Sequence, residues 1–211
     1  MDKFDEELLF VNKIISGVTH ELNNIFSTLN EIAGSLEDYF DFHQENSIAS
    51  ENIKKKINKI QLQIDRGKNL IKAFNQFSHQ TDSTSKTFNL SDFIQQTILL
   101  HRYFANQKGV KFEIDNLDVP AYVTCNEFQL SFTIHKILLE IFKYQFETPT
   151  IEIKIQKEGI EFRANVSLND PTELEGFTKD LNETVSEWKI ICQFSFTNSL
   201  IKFHIIVSNW S

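Results

Sequence analysis

Residues that interrupt regular structure, or that lock a chain covalently, are scarce in this sequence. Its 211 residues include six glycines, three prolines and two cysteines. Because glycine and proline disturb helices and strands, their scarcity predicts a chain that consists mostly of regular structure. The two cysteines, Cys125 and Cys192, are far apart and lack the spacing of a metal site, so we expect reduced thiols in the core of a cytoplasmic protein.

An excess of basic charge and a long apolar run are also missing. The formal net charge of −8 argues against a nucleic-acid partner. No stretch approaches the roughly 20 apolar residues of a membrane span. The first ten residues, MDKFDEELLF, carry acids where a signal peptide needs bases. We therefore expect a cytoplasmic protein that binds neither nucleic acid nor a membrane.

The sequence does contain a long heptad repeat near its start. Nine apolar residues follow one another in alternating steps of four and three, which keeps one stripe of a helix against a partner helix. They are Val11, Ile15, Val18, Leu22, Ile25, Leu29, Ile32, Leu36 and Tyr39. When Ile15 is placed at heptad position a, His20 falls at f, the position that points away from the seam. Glu21 follows at g, and Asn24 lies one helical turn beyond His20 on the same surface.

A second stripe predicts that residues 1–80 form a helical hairpin. The stripe consists of Ile53, Ile57, Ile60, Ile64, Gly67, Ile71 and Phe74. The first helix is expected from near Lys3 to about Phe42, and the connection to the second at the polar residues 43–47. Two helices with one apolar stripe each cannot bury both stripes alone, so we expect a homodimer with a four-helix bundle. The cations of the second helix favour either a solvated face or attraction to an acidic partner.

The pattern changes after a polar linker at residues 81–87. Helices are predicted over 92–105 with a cap near Asn89 or Ser91, from a cap at Asn126 to about Phe146, and over 173–187. Strands are predicted over 110–115, 151–156, 160–168, 189–196 and 200–207, with a turn at Asn198 and Ser199 between the last two. The predicted fold class is therefore α+β, with the helical hairpin followed by an α/β sandwich at residues 88–211.

The string GVTHELNN at residues 17–24 resembles the H-box of sensor histidine kinases. In that family the first helix of a dimeric bundle carries the phosphorylated histidine, and this position corresponds to His20. Three further strings resemble the family, namely RGKNLI at 66–71, FNLSD at 88–92 and NEFQL at 126–130. The resemblance implies that residues 88–211 are similar to the family's ATP-binding domain. The family usually has a proline directly after the H-box, whereas this chain has Ile25.

The residues with which the family holds nucleotide are missing. Lys136 and Glu140 stand at the positions of the family's two asparagines. Asn169-Asp170-Pro171 stands where the family has a glycine-containing turn that reads adenine. Beyond Gly159 there is one glycine, Gly176, which is too few for a lid that wraps phosphates. We therefore expect a degenerate ATPase-like domain and a chain that binds no cofactor of its own.

The resemblance implies phosphoryl transfer at His20. A neutral imidazole is a competent nucleophile near neutral pH. Glu21 could orient one ring nitrogen and take its proton, and the family residue that matches Asn24 positions water or the transferring group. We expect a dimeric histidine phosphotransferase that carries phosphate between His20 and the aspartates of response-regulator receiver domains. The Mg²⁺ for the transfer is expected to arrive with the receiver.

Two alternatives stay open from the sequence. The chain could be a non-catalytic pseudokinase that binds and regulates a response regulator or a histidine kinase. It could also be an active kinase that holds Mg²⁺ through the Glu140 carboxylate. A metalloprotease helix is excluded, since the second histidine of that motif is replaced by Asn24.

Overall fold

The structure, a computed structural model, describes residues 3–42, 49–80, 84–115, 121–156, 159–168, 170 and 172–207. Two long helices form the N-terminal hairpin, α1 (Lys3–Phe42) and α2 (Ala49–Ser78). Helix α1 is uninterrupted through Ile25, as the heptad repeat predicts. The predicted connection at 43–47 lies outside the described residues. Within the described part of the chain, no helix combines the length and the apolar content needed to cross a membrane.

The rest of the chain forms an α/β domain that begins inside the predicted linker. Its elements are β1 (Lys86–Asn89), α3 (Leu90–Gln107), β2 (Lys111–Asp115), β3 (Tyr122–Cys125), α4 (Glu127–Ile141), β4 (Gln145–Gln156), β5 (Gly159–Ser167), α5 (Thr172–Val185), a 3₁₀ turn (Ser186–Trp188), β6 (Ile190–Thr197) and β7 (Leu200–Val207). Five strands form one sheet in the order β2-β4-β5-β7-β6, in which β2 and β4 are parallel and the other pairs antiparallel. The predicted α+β class is confirmed.

Local signals placed several boundaries of the domain correctly. The side chain of Asn89 accepts a hydrogen bond from the Asp92 amide and caps α3. The side chain of Asn126 does the same for the Gln129 amide at the start of α4. Asn198 and Ser199 have positive φ angles of 49° and 65°, which suits the tight hairpin between β6 and β7.

One predicted boundary of the domain is wrong, and two strands were not predicted. Helix α4 ends at Ile141 rather than near Phe146, and Phe146 already lies in β4, where it pairs with Val166 of β5. The sequence analysis also missed β1 and β3, which pair antiparallel as a separate two-stranded sheet. Both errors have one cause, because pairing with distant strands decides the structure of these short segments and leaves little local pattern.

The α/β domain packs directly onto the hairpin. The Phe10 ring of α1 lies edge-on to Phe77 of α2 at 5.4 Å and to Phe132 of α4 at 5.7 Å between ring centroids. Further along α1, a β-carbon on Gly17 would lie 3.3 Å from the ring of Phe104 in α3, so the missing side chain permits the close approach of the two helices. One apolar cluster therefore joins hairpin and sheet domain.

Candidate functional site

His20 is exposed on α1, as its heptad position predicts. Its imidazole stacks on the phenol ring of Tyr103 from α3, with 4.9 Å between the ring centroids and 4° between the ring planes. That separation at nearly parallel planes corresponds to an offset stack. One face of the imidazole is thus covered by the α/β domain of the same chain, a contact that the sequence analysis did not foresee.

The packing of α3 on α1 positions Tyr103. The Phe104 ring fills the space that Gly17 leaves on α1, which brings the preceding residue, Tyr103, beside His20. The Tyr103 hydroxyl accepts a hydrogen bond of 2.6 Å from Nε2 of Gln107, one turn later on α3. The tyrosine ring is therefore held from its own helix while it contacts the histidine of another.

Glu21 points into the molecule and not toward His20. It is 3% exposed, and its carboxylate accepts hydrogen bonds from Nη2 of Arg66 at 2.5 Å and from Nδ2 of Asn106 at 2.9 Å. These contacts join α1, α2 and α3 at one point. The expected pairing of Glu21 with the imidazole is therefore not found in this conformation, because Arg66 and Asn106 take up the carboxylate.

Asn24 is exposed one turn beyond His20, on the surface that the spacing predicts. Its backbone carbonyl accepts a hydrogen bond of 2.9 Å from the Thr28 hydroxyl, within the helix. Of the three predicted site residues, the structure therefore leaves His20 and Asn24 together on the exposed surface and moves Glu21 to the interior.

The residues at the two asparagine positions of histidine kinases are engaged inside the chain. Nζ of Lys136 lies 2.9 Å from the carboxylate of Glu6 in α1. Glu140 is buried and accepts hydrogen bonds from Nζ of Lys143 at 2.6 Å and from the Tyr144 hydroxyl at 2.9 Å. Burial and the neighbouring Glu140 carboxylate raise the pKa of Tyr144 above its usual value.

Asp170 also has a partner inside the chain. Asp170 accepts hydrogen bonds from the backbone amide and the hydroxyl of Thr172, at the start of α5. These hydrogen bonds lower the pKa of the Asp170 carboxyl. Asn169 and Pro171 of the predicted turn lie outside the described residues. In the described parts of the chain, no group of three or more His, Cys, Asp or Glu residues is arranged to hold a metal ion.

No protein-family model matches the chain, and no curated protein does. The solved structures that it resembles include two histidine kinases and a phosphotransferase. The cytoplasmic segment of histidine kinase QseC matches with a TM-score of 0.48 and 13% identity, over 69% of this chain and 95% of that one. The Acinetobacter baumannii histidine kinase AdeS matches with a TM-score of 0.45 and 12% identity, over 90% and 98%.

The third structure is a bacterial phosphotransferase, with a TM-score of 0.45 and 12% identity over 97% of both chains. At TM-scores below 0.5 and such low identities, the likeness assigns neither an activity nor a partner to the chain.

Two buried histidines contact each other, and the sequence analysis did not predict that contact. Nε2 of His101 in α3 lies 2.9 Å from Nδ1 of His135 in α4, and Nδ1 of His101 lies 2.8 Å from the Thr97 carbonyl oxygen. A carbonyl can only accept, so His101 donates from Nδ1 and accepts from His135 at Nε2. Burial lowers the pKa of His101 to about 4 and that of His135 well below its usual value. Both rings are neutral and serve the core rather than the exposed site.

Proposed function

We propose that this protein is a dimeric histidine phosphotransferase, which takes phosphate onto His20 from a receiver-domain aspartate and passes it to another receiver. The observation that best supports this proposal is the position of His20. Its imidazole is exposed on an uninterrupted helix, makes no hydrogen bond to the described residues, and has Asn24 one turn away on the same surface. A large partner can approach such a ring without displacing any part of the hairpin.

The imidazole would act as the nucleophile. The lone pair of one ring nitrogen attacks phosphorus, and the bond to the aspartyl oxygen breaks with its electron pair on the carboxylate. Charge on the transferring phosphoryl group needs neutralisation by a metal ion. In this proposal the receiver supplies Mg²⁺, and Asn24 contacts the transferring group from the neighbouring turn.

The open apolar stripes of the hairpin support the dimer. On α1 the stripe includes Leu8 and Ile15, and on α2 it includes Ile57, Ile64 and Ile71, all at seven-residue spacing. These five side chains are between 37% and 53% exposed within one chain. A second copy that presents the same stripes would bury them in a four-helix bundle.

The heptad seam is therefore shared between two kinds of contact. Val18 and Ile25, at the predicted d positions, are buried within the chain. Ile15, at a predicted a position, remains exposed. Ile15 is thus available to a partner copy after the chain has folded, whereas Leu22 and Leu29, at later a positions, pack partly against the chain's own core.

The contacts of Lys136, Glu140 and Asp170 support the proposal that this chain receives its phosphate from another protein. A triphosphate beside Glu140 would meet a buried carboxylate rather than an amide. Lys136 and Asp170 are committed to Glu6 and Thr172. We therefore propose that His20 is phosphorylated only by exchange with receivers.

One observation favours a second candidate, a scaffold that binds receivers or kinases without chemistry. Glu21 is held by Arg66 and Asn106, so in this conformation no carboxylate assists the imidazole. A scaffold needs no such assistance, whereas a phosphotransferase would have to work without a carboxylate at the imidazole.

The full chain should be incubated with Mg²⁺ and the receiver domains of the same genome, each phosphorylated beforehand with radiolabelled acetyl phosphate. We expect acid-labile label on the wild-type chain, none on His20→Ala, and normal labelling of His79→Ala, a matched change at another exposed histidine. Binding of a receiver without transfer of label would support the scaffold instead. Label that survives in His20→Ala would contradict the assignment of the site.

A further inference from the structure

We propose that Tyr103 is a positioning residue for phosphoryl transfer at His20, an inference that rests on the proposed function of His20. The two rings lie 4.9 Å apart between centroids and within 4° of parallel. They come from different parts of the chain, α1 and α3, so the stack forms only when the α/β domain rests on the hairpin. Its geometry affects the orientation of the imidazole and the stability of the positive charge that develops on it during transfer.

The stack restricts rotation of the imidazole and leaves its edge accessible. The two ring nitrogens lie in the ring plane, and their in-plane lone pairs point away from the tyrosine face. An exposed histidine without such a contact would sample several rotamers, of which only some present a nitrogen in line with phosphorus. Holding the ring in one orientation removes part of the entropic cost of reaching the transition state.

The tyrosine face also favours the form that the ring takes during transfer. When one nitrogen forms a bond to phosphorus, the proton on the other nitrogen stays, and the imidazole gains positive charge while the leaving group keeps the electron pair. The face of a phenol ring carries negative charge density and attracts a cation. Because the positive charge develops as the bond forms, this attraction is stronger in the transition state than in the ground state.

The surrounding contacts hold Tyr103 where this role requires it. Its hydroxyl accepts a hydrogen bond from Gln107, and its ring packs edge-on to Phe104 at 5.5 Å. Phe104 in turn fills the space above Gly17, one turn before His20. On the next turn of α3, Asn106 binds Glu21, the residue that follows His20. Helix α3 therefore contacts both His20 and its neighbour.

The test compares Tyr103→Leu, Tyr103→Phe and Tyr122→Leu. Tyr122 is an exposed tyrosine of β3 and serves as a matched control for the loss of a ring from the same domain. Phosphoramidate is the probe, since it phosphorylates imidazoles without a protein partner: its P–N bond breaks, ammonia leaves and a new N–P bond forms. The rate of phosphohistidine formation at His20 is measured by mass spectrometry of the intact chain and its fragments.

We expect Tyr103→Leu to slow phosphorylation of His20 by about five- to tenfold, which is the size of an aromatic stack. Tyr103→Phe keeps the ring, which the packing of Phe104 against Gly17 still holds beside His20, and should react within about twofold of the wild-type chain. Tyr122→Leu should do the same. A wild-type rate in Tyr103→Leu would overturn the proposal. An equal loss in Tyr103→Phe would also overturn it, because the hydroxyl rather than the ring would then matter.

An NMR measurement tests the stack itself, independently of any reaction at His20. The ring current of Tyr103 should shift the carbon-bound protons of His20, and that shift should vanish in Tyr103→Leu and persist in Tyr103→Phe. Absence of the shift in the wild-type chain would overturn the stack itself. If the phosphoramidate results hold but no phosphorylated receiver labels His20, the phosphotransferase function fails while the role of Tyr103 at this imidazole stands.

Discussion

The hairpin and the α/β domain differ in how far their regularly spaced apolar side chains are buried. Alternate side chains of the central strands, among them Ile153, Phe162 and Phe203, have no exposed surface. In the hairpin, Ile57 and Ile71 are half exposed although their spacing is just as regular. The same kind of periodicity thus leads to a completed core in one region and to an open stripe in the other.

This difference indicates where each region finds its partner. The sheet is covered by helices of its own chain, so its folding needs nothing else. The hairpin has two faces to bury, and the α/β domain covers only one of them. The covered face carries Phe10, Gly17 and Glu21 of α1. Mutations should therefore act on the stability of the single chain in the sheet domain, and on association between chains along the open stripe.

The largest expected effect is the loss of a ring from the closed core. Phe162→Ala on β5 should lower the free energy of unfolding by about 3–5 kcal/mol, because it removes apolar contacts and leaves a cavity. Urea unfolding followed by circular dichroism measures the change. Ile191→Ala on β6, where the side chain is half exposed, should cost much less. Equal costs at the two positions would contradict the distinction between closed and open surfaces.

The sequence predicted those features of the fold that local pattern controls. The bounds of α1, the caps at Asn89 and Asn126 and the turn at Asn198 each depend on residues within a few positions. The short strands β1 and β3 depend on each other across 30 or more residues, and neither has a periodic pattern of its own. They were missed because their pairing is entirely non-local.

The same division applies to the candidate site. Heptad spacing placed His20 and Asn24 on the exposed surface, since the orientation of a residue on a helix follows from its own helix. The heptad spacing could not show that α3 would cover the face beside His20. It therefore predicted that Glu21 would be exposed. The partners Arg66, Tyr103 and Asn106 belong to other elements, and no signal near His20 in the sequence points to them.

The second prediction concerns pH at the boundary between the two regions. Beneath Phe10 of α1, the His101–His135 pair is buried, with Lys13 and Lys136 adding positive charge nearby. The pKa of His101 falls from 6.5 to about 4 on folding. Between these values the unfolded chain binds more protons than the folded one, so stability is lost as pH falls from 6.5 toward 4.

At 1.4 kcal/mol for each unit of pKa, the loss from His101 alone is about 3 kcal/mol. Urea unfolding at pH 7 and pH 5 measures its onset. A double variant, His101→Leu with His135→Leu, should show a weaker dependence on pH in this range, whereas His79→Gln at an exposed histidine should keep the dependence of the wild-type chain. A stability that stays constant from pH 7 to pH 5 would contradict the buried neutral pair.

The third prediction tests the ion pair that joins the two regions. In Arg66→Met the buried Glu21 carboxylate keeps only Asn106, and we expect a loss of about 1–3 kcal/mol in the free energy of unfolding. Adding Glu21→Gln should restore part of that loss, because it removes the unpaired charge. The control is Lys68→Met, since Lys68 is exposed and lies 3.9 Å from Asp65, a pair of little expected value. An Arg66→Met chain as stable as the control would show that the contact contributes little.

The smallest expected effect on the single chain is also the one that separates the two regions most clearly. Ile57→Asp combined with Ile64→Asp should change the stability of the monomer by no more than about 1 kcal/mol, because both side chains are exposed there and each substitution costs up to about 0.5 kcal/mol. The same change should convert the dimer into a monomer, since it places charges along the bundle seam. Sedimentation velocity measures the association state. Lys54→Asp with Lys59→Asp is a matched pair of exposed substitutions on the same helix and should leave the dimer intact. A wild-type chain that sediments as a monomer would mean that the open stripe serves some partner other than a second copy.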